Sequence, residues 1–143
     1  MIHRLCLGTA KLGMPWYGAG SVSRPGPAEI EAILRRAQEL GITHYDTAAA
    51  YGDAEDWVRY VVPTEVNTTK VSPVLARRFG AIHDRDAAGD GRLWSWLLLH
   101  NPCSERDFDD LRVLTSSVIN GRLSGIVGAS VYTPAQAQAA LDA

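Results

Sequence analysis

The chain has 143 residues, about one domain's worth, and an ordinary globular composition. Its formal net charge of −2 gives no electrostatic reason to bind nucleic acid or an acidic membrane surface. No apolar run is long enough to span a bilayer, and Met1-Ile2-His3-Arg4 lacks a signal-peptide pattern, so the cytoplasm is the default expectation. Cys6 and Cys103 have no metal-like spacing; reduced thiols are the simpler reading, though two cysteines could pair.

Arg4 to Ala10, with Leu5, Cys6 and Leu7, reads as a first strand, expected to be buried on both faces. Gly8 and Gly13 bracket a turn. Met14 to Gly26 is a Gly-, Ser- and Pro-rich loop. Its Gly18-Ala19-Gly20 is half of a dinucleotide fingerprint with no helix opening at its end. Pro27 to Leu40 is the clearest helix: Pro27 suits the first turn, and Ile30, Ile33, Leu34, Ala37 and Leu40 form one apolar stripe. Gly41 then ends it as a glycine just past the cap would. A second strand, Ile42 to Tyr45, follows too closely for a hairpin. That rhythm belongs to a parallel α/β protein.

Glu55 to Val62 reads as a short helix stopped by Pro63, and Glu65 to Lys70 as a third strand with Val66, Thr68 and Lys70 on one face. Val71 to Phe79 is expected to make a helical turn, and His83 to Arg92 a polar loop. Leu93 to His100 is a nearly continuous apolar run, as a central parallel strand would be. Phe108 to Asn120 is a second amphipathic helix and Ile126 to Val131 a fifth strand. Thr133 caps a last helix with Pro134 in its first turn. The tally is five β/α units in one domain, residues 1–143. The expected fold is a parallel (β/α) barrel of TIM type truncated to about five units, because a closed eight-unit barrel needs about 200 residues.

Chemistry concentrates at the ends of these strands. The stretch His44-Tyr45-Asp46-Thr47-Ala48-Ala49-Ala50-Tyr51-Gly52-Asp53-Ala54-Glu55 places Asp46 at a strand end and Tyr51 in a small-residue loop. Lys70 and His100 end the third and fourth strands, and Ser130 lies near the end of the fifth. Any one of these, alone, has a plainer explanation as packing, solvated surface or a hydrogen-bonded core residue. Together they mark a place for proton chemistry.

Asp46, Thr47-Ala48, Tyr51-Gly52 and Glu55 resemble the first signature of the aldo-keto reductases. Gly8-Thr9-Ala10-Lys11-Leu12-Gly13 resembles the first-strand motif of a bacterial branch of that family. Thr69-Lys70, Leu98-Leu99-His100-Asn101-Pro102 and Gly121 through Ser130 resemble its third, fourth and fifth strand segments, in the family's order. The resemblance implies an NADPH-dependent carbonyl reductase on a (β/α)₈ barrel. Tyr51 would be the general acid, Lys70 would lower its pKa, Asp46 would pair with Lys70, and His100 would orient the carbonyl. Ser130 would hydrogen-bond the nicotinamide carboxamide, with Asp46 also on the cofactor side.

The chain also departs from the family's pattern. Strands six to eight, which supply most of the cofactor site in the family, have no counterpart. Ser95 stands where an aspartate is usual, and Lys11 where glutamine is more common. Three readings follow, one of them a fragment of a longer reading frame that is unstable alone. Another is an oxidoreductase reducing a small carbonyl substrate, its activity impaired by truncation or restored when a second copy or second chain completes the barrel. The alternative is an inactive half-barrel that binds a partner or small molecule. The residues imply no metal, nucleic acid or membrane role.

Overall fold

The computed structural model describes residues 5–17, 23–62, 66–74, 76, 95–102, 104–119 and 125–143. In chain order these form β1 (Cys6–Gly8), α1 (Ala10–Gly13), α2 (Pro27–Glu39), β2 (His44–Asp46), α3 (Ala54–Val61), β3 (Val66–Val71), β4 (Trp96–His100), α4 (Glu105–Ile119), β5 (Ile126–Ser130) and α5 (Pro134–Asp142). The strands make one sheet in the order β1-β2-β3-β4-β5. The α/β class and the parallel, sequential strand order expected of a TIM-type barrel are therefore present. By internal contacts the chain divides into two compact units, Met1–Thr68 and Thr69–Ala143, with the division inside β3.

In the first unit, α2 forms because its apolar residues recur at helical spacing. Ile30, Leu34 and Ala37 are buried from it, and a fully buried Ile or Leu contributes about 1.5–3 kcal/mol. Its end is a Schellman motif: Gly41 N–H donates to Gln38 O (2.8 Å) and Ile42 N–H to Ala37 O (3.0 Å), with Gly41 at φ +78°. That motif occupies Ile42, so β2 starts at His44, two residues later than the sequence pattern indicates. Tyr45 is fully buried among Ile30, Leu34, Val58 and their neighbours. Leu7 packs against the same cluster, whereas Cys6 and Gly8 are exposed. The expectation that the first strand is buried on both faces is corrected here. The cluster that Leu7 packs against includes residues of α2 and α3, and Cys6 is not part of it.

In the second unit, β4 and β5 run in parallel register from Trp96↔Ile126 to His100↔Ser130. Its core holds Val71, Ala76, Leu97, Leu99, Leu111 and Leu114. Helix α4 begins at Glu105, three residues before its apolar stripe does. Ser104 and Asp107 cap it reciprocally: Asp107 N–H donates to Ser104 Oγ (3.3 Å) and Ser104 N–H to Asp107 Oδ2 (3.1 Å). Helix α5 has the cap read from Thr133 and Pro134. Residues 73–74 and 76 are helical, in line with the expected turn. Gly18-Ala19-Gly20, the disposition of Cys103 and the loop His83 to Arg92 lie outside the described residues.

Candidate functional site

The residues singled out in the sequence all sit at or just beyond the carboxyl ends of strands, Asp46 and Tyr51 in the first unit and Lys70, His100 and Ser130 in the second. Asp46 closes β2 in register with Gly8 and Thr68. Its carbonyl accepts from Thr9 N–H (2.9 Å) and Thr9 Oγ1 (3.0 Å), and Thr47 N–H donates to Thr68 O (2.9 Å). The ends of β1 and β2 and the middle of β3 are thereby tied by backbone, with Asp46 half-buried.

The loop after Asp46 folds tightly because its residues are small. Thr47 and Ala48 are fully buried, Tyr51 N–H donates to Ala48 O (2.9 Å), and Gly52 takes φ +61°. Tyr51 is only 9% exposed, and its ring lies 6.2 Å from that of Tyr17 at a 50° tilt. Beneath it, α1 approaches so closely that a Cβ on Gly13 would lie 1.6 Å from Tyr51 O. Behind it, Arg24 Nη2 meets Asp53 at 2.7 Å (Oδ2) and 2.5 Å (Oδ1), and Arg24 Nε donates to Leu12 O (2.5 Å). Asp53 Oδ2 also accepts from Trp57 Nε1 (3.3 Å). The Arg24 hydrogen bond holds the Asp53 carboxyl below the usual value of 3.8.

In the second unit Lys70, near the end of β3, is only 6% exposed. A lysine is seldom so buried unless its charge is used, because removing an ammonium from water is costly. His100 and Ser130 are brought together as register partners at the ends of β4 and β5, both half-buried. Asn101 follows at φ +51°, and its N–H donates to Ser130 O (2.9 Å). A left-handed residue before a proline is uncommon and marks local strain. Gln136 holds that corner: Nε2 donates to Pro102 O (2.9 Å) and Asn101 Oδ1 (3.3 Å), and Oε1 accepts from Tyr132 and Thr133 N–H (2.9 and 3.1 Å).

The sequence reading missed Gly13, the Arg24–Asp53 pair and Gln136. Only Gln136 carried a local signal, the Thr-x-x-Gln spacing of a capping box. Among the described residues no group of three His, Cys, Asp or Glu side chains could hold a metal ion. No helix among them is long and apolar enough to cross a membrane.

Five parallel strands in sequential order, alternating with helices, define an α/β fold of the TIM-type (β/α) class. Residues 4–85, more than half of the chain, match the Aldo/keto reductase family. The chain belongs to that family. Among solved structures it is similar to an aldo-keto reductase described from Pseudomonas aeruginosa, at 24% identity and a TM-score of 0.70 over 96% of this chain. It is also similar to the holo form of aldo-keto reductase AKR11C1 from Bacillus halodurans (19%, 0.72, 96%). A third is the glycerol dehydrogenase AKR11B4 from Gluconobacter oxydans (20%, 0.67, 96%). The chain spans 59%, 49% and 47% of those three chains. At these identities the likeness concerns the fold. No curated protein sequence matches the chain significantly.

Proposed function

We propose that this chain carries the acid–base side of an NADPH-dependent carbonyl reductase, with residues 1–143 acting as one partial domain. The family and fold support an oxidoreductase-like function. The observation that carries the finer reading is a buried tyrosine after β2 followed by a buried lysine near the end of β3. In this reading Tyr51 protonates the carbonyl oxygen of a small substrate. A free phenol has a pKa near 10, too high for efficient proton transfer at neutral pH, and the Lys70 ammonium lowers it by favouring the phenolate. Asp46 balances the Lys70 charge, and His100 orients the carbonyl oxygen.

The residues present fit the nicotinamide end of such a cofactor. Ser130 offers a hydroxyl for a carboxamide, and Asp46 an acceptor for a sugar hydroxyl, each half-buried at a strand end. When bound, the dinucleotide supplies hydride. The side chains named here position the carbonyl and hold or move its proton. Weak NADPH binding is expected of the 143-residue chain, since it spans about half to three-fifths of its structural neighbours' lengths. That same observation favours a second reading, a folded half-barrel that binds a partner or small molecule without turnover. A second copy or another chain that completes the sheet belongs to the first reading, and the cytoplasm is the compartment it implies.

The test follows NADPH consumption with small aldehydes and ketones, alongside quenching of tryptophan fluorescence by NADPH. Turnover that Tyr51→Phe nearly abolishes, with an unchanged melt, is the expected result. Equal turnover in both proteins removes Tyr51 from the role, and a folded chain that shows no quenching with NADPH supports the non-catalytic reading.

A further inference from the structure

The β4–β5 register closes at His100↔Ser130, and one more bond follows it, from Asn101 N–H to Ser130 O (2.9 Å). Pro102 then breaks the ladder, having no N–H to donate. Asn101 sits at φ +51° before that proline, a conformation that a chain adopts only where its surroundings hold it. Gln136, on α5, carries both kinds of group that this corner needs. Its Oε1 accepts from Tyr132 N–H (2.9 Å) and Thr133 N–H (3.1 Å), on the segment leaving β5. Its Nε2 donates to Pro102 O (2.9 Å) and Asn101 Oδ1 (3.3 Å), on the segment leaving β4. The backbone partners fix which way the amide points, since an N–H only donates and a carbonyl oxygen only accepts. The same side chain completes the α5 capping box with Thr133. A capping box needs only an acceptor here, which glutamate supplies as well as glutamine. The nitrogen is surplus to the cap, and both of these bonds run to the β4 segment.

We propose that Gln136 is a positioning residue, which locks the strand end bearing His100 to the strand end bearing Ser130. The inference rests on the reductase reading, in which His100 orients the carbonyl and Ser130 meets the carboxamide of the cofactor. Those two side chains serve different molecules, so their relative placement decides how well the two are aligned. A misplacement of about 1 Å in such a pair can cost on the order of a hundredfold in rate. In this role Gln136 contacts neither molecule and moves no proton. Its influence is on alignment at the β4 and β5 ends and not on the acid strength of Tyr51.

The test compares the 143-residue chain with Gln136→Glu, which keeps the acceptor oxygen and removes the donor nitrogen. Gln138→Ala is the control, because Gln138 Nε2 donates to Asp142 Oδ1 (2.9 Å) on its own helix. In Gln136→Glu at pH 7, where the new carboxyl is ionised, the Thr133 amide should exchange with solvent as in the parent. The Asn101 amide should exchange about fivefold faster, the equivalent of one hydrogen bond. The His100 ring signals should shift in NMR spectra. With NADPH and a small aldehyde, kcat/KM should fall about tenfold, while the alkaline limb of the pH profile assigned to Tyr51 stays in place. Gln138→Ala should change none of these. Unaltered Asn101 exchange and His100 signals in Gln136→Glu overturn the clamp. Altered signals with unchanged kcat/KM, or an equal fall in Gln138→Ala, overturn the positioning role. A parent without turnover counts against the reductase reading instead; exchange and ring signals, which need no substrate, then decide the clamp. Should Gln136→Glu not fold, the parent decides it. The side-chain NH2 protons of Gln136 must exchange more slowly than those of Gln138, and equal rates refute the clamp.

Discussion

The closest backbone approach under the candidate site lies between Gly13, the last residue of α1, and the Tyr51 peptide. A Cβ built on Gly13 falls 1.6 Å from Tyr51 O, 2.7 Å from Tyr51 C and 3.0 Å from Ala54 N. All three are backbone atoms, so no rotamer change relieves the overlap. Reaching an ordinary contact of about 3.4 Å requires a separation of about 1.8 Å between α1 and the Tyr51 loop. That movement also pulls on the Ala54 N–H to Tyr51 O bond (3.2 Å) that opens α3. Overpacking costs about 1–3 kcal/mol and a lost hydrogen bond about 1 kcal/mol, so Gly13→Ala should destabilise by about 2–4 kcal/mol. For a chain of this size that lowers the melting temperature by roughly 6–12 °C. Circular-dichroism melts and urea midpoints measure it. Gly41→Ala is the control: Gly41 has φ +78° with nothing within 4 Å of an added Cβ, so only a left-handed backbone cost of about 1–2 kcal/mol applies. Gly52→Ala strains the same contact from the other side, 2.7 Å from Gly13 O, so its effect should be less than additive with Gly13→Ala. A Gly13→Ala protein that melts within about 2 °C of the parent, or above Gly41→Ala, refutes the packing argument.

The folded-state pKa of Asp53 is lowered by Arg24, so the pair's stabilisation is present above 3.8 and disappears as pH falls through the lower folded value. Because Arg24 and Asp53 are 31% and 45% exposed, it should amount to no more than about 1 kcal/mol; urea midpoints of parent and Asp53→Asn should differ at pH 6 and converge near pH 2.5, and a constant difference would count against it. Gln136→Ala should cost about 1–2 kcal/mol by uncapping α5 and releasing Asn101. Gln136→Glu should keep the cap while freeing the β4 end, which amide exchange at Thr133 and Asn101 would separate. Lys70→Met removes one partner of the proposed Asp46–Lys70 pair, so it should lower the melt as well as abolish any turnover, and Asp46→Asn combined with Lys70→Met should recover part of the loss; a single variant that melts with the parent would count against the pair.

What could be read from the chain follows from how local each interaction is. The α2 stripe and the glycine after it were legible because side-chain spacing and a single left-handed residue settle them within one stretch of sequence. The two-residue delay of β2 was hidden because a Schellman motif claims Ile42, and propensity alone favours an isoleucine in a strand. The start of α4 was hidden because its first turn is polar, so apolar periodicity begins only at Phe108. Asn101 defied the rule for residues before proline because Ser130 and Gln136, far away in sequence, hold it. The five candidate side chains are proposed on residue type and order in the chain, with no local structural signal to single them out. Gly13 was read only as a turn residue, since nothing in a sequence reports that another segment's backbone lies against it.

The two units fix their strand ends by different means, and this bears on which substitutions each can accept. In the first, Asp46 and Tyr51 are positioned mainly by backbone: the Thr9 N–H and Ala48 carbonyl bonds, the β1–β2–β3 register, and two glycines in direct apposition. Peptide groups survive almost any change of side chain, so only residues that alter the backbone's own allowance of space or φ should disturb this end strongly. In the second, the segment after His100 is held by the Asn101 N–H to Ser130 O bond and by the Gln136 side-chain amide. Gln136 satisfies backbone groups on α5 with its oxygen and on the β4 end with its nitrogen, while Asn101 stays in a conformation that costs about 1–3 kcal/mol. No shorter or apolar side chain can do both. If the His100 end must stay fixed for carbonyl binding, substitution at Gln136 should impair substrate positioning there before it impairs folding, whereas substitutions that disturb the backbone under Tyr51, such as Gly13→Ala, should lose stability and function together.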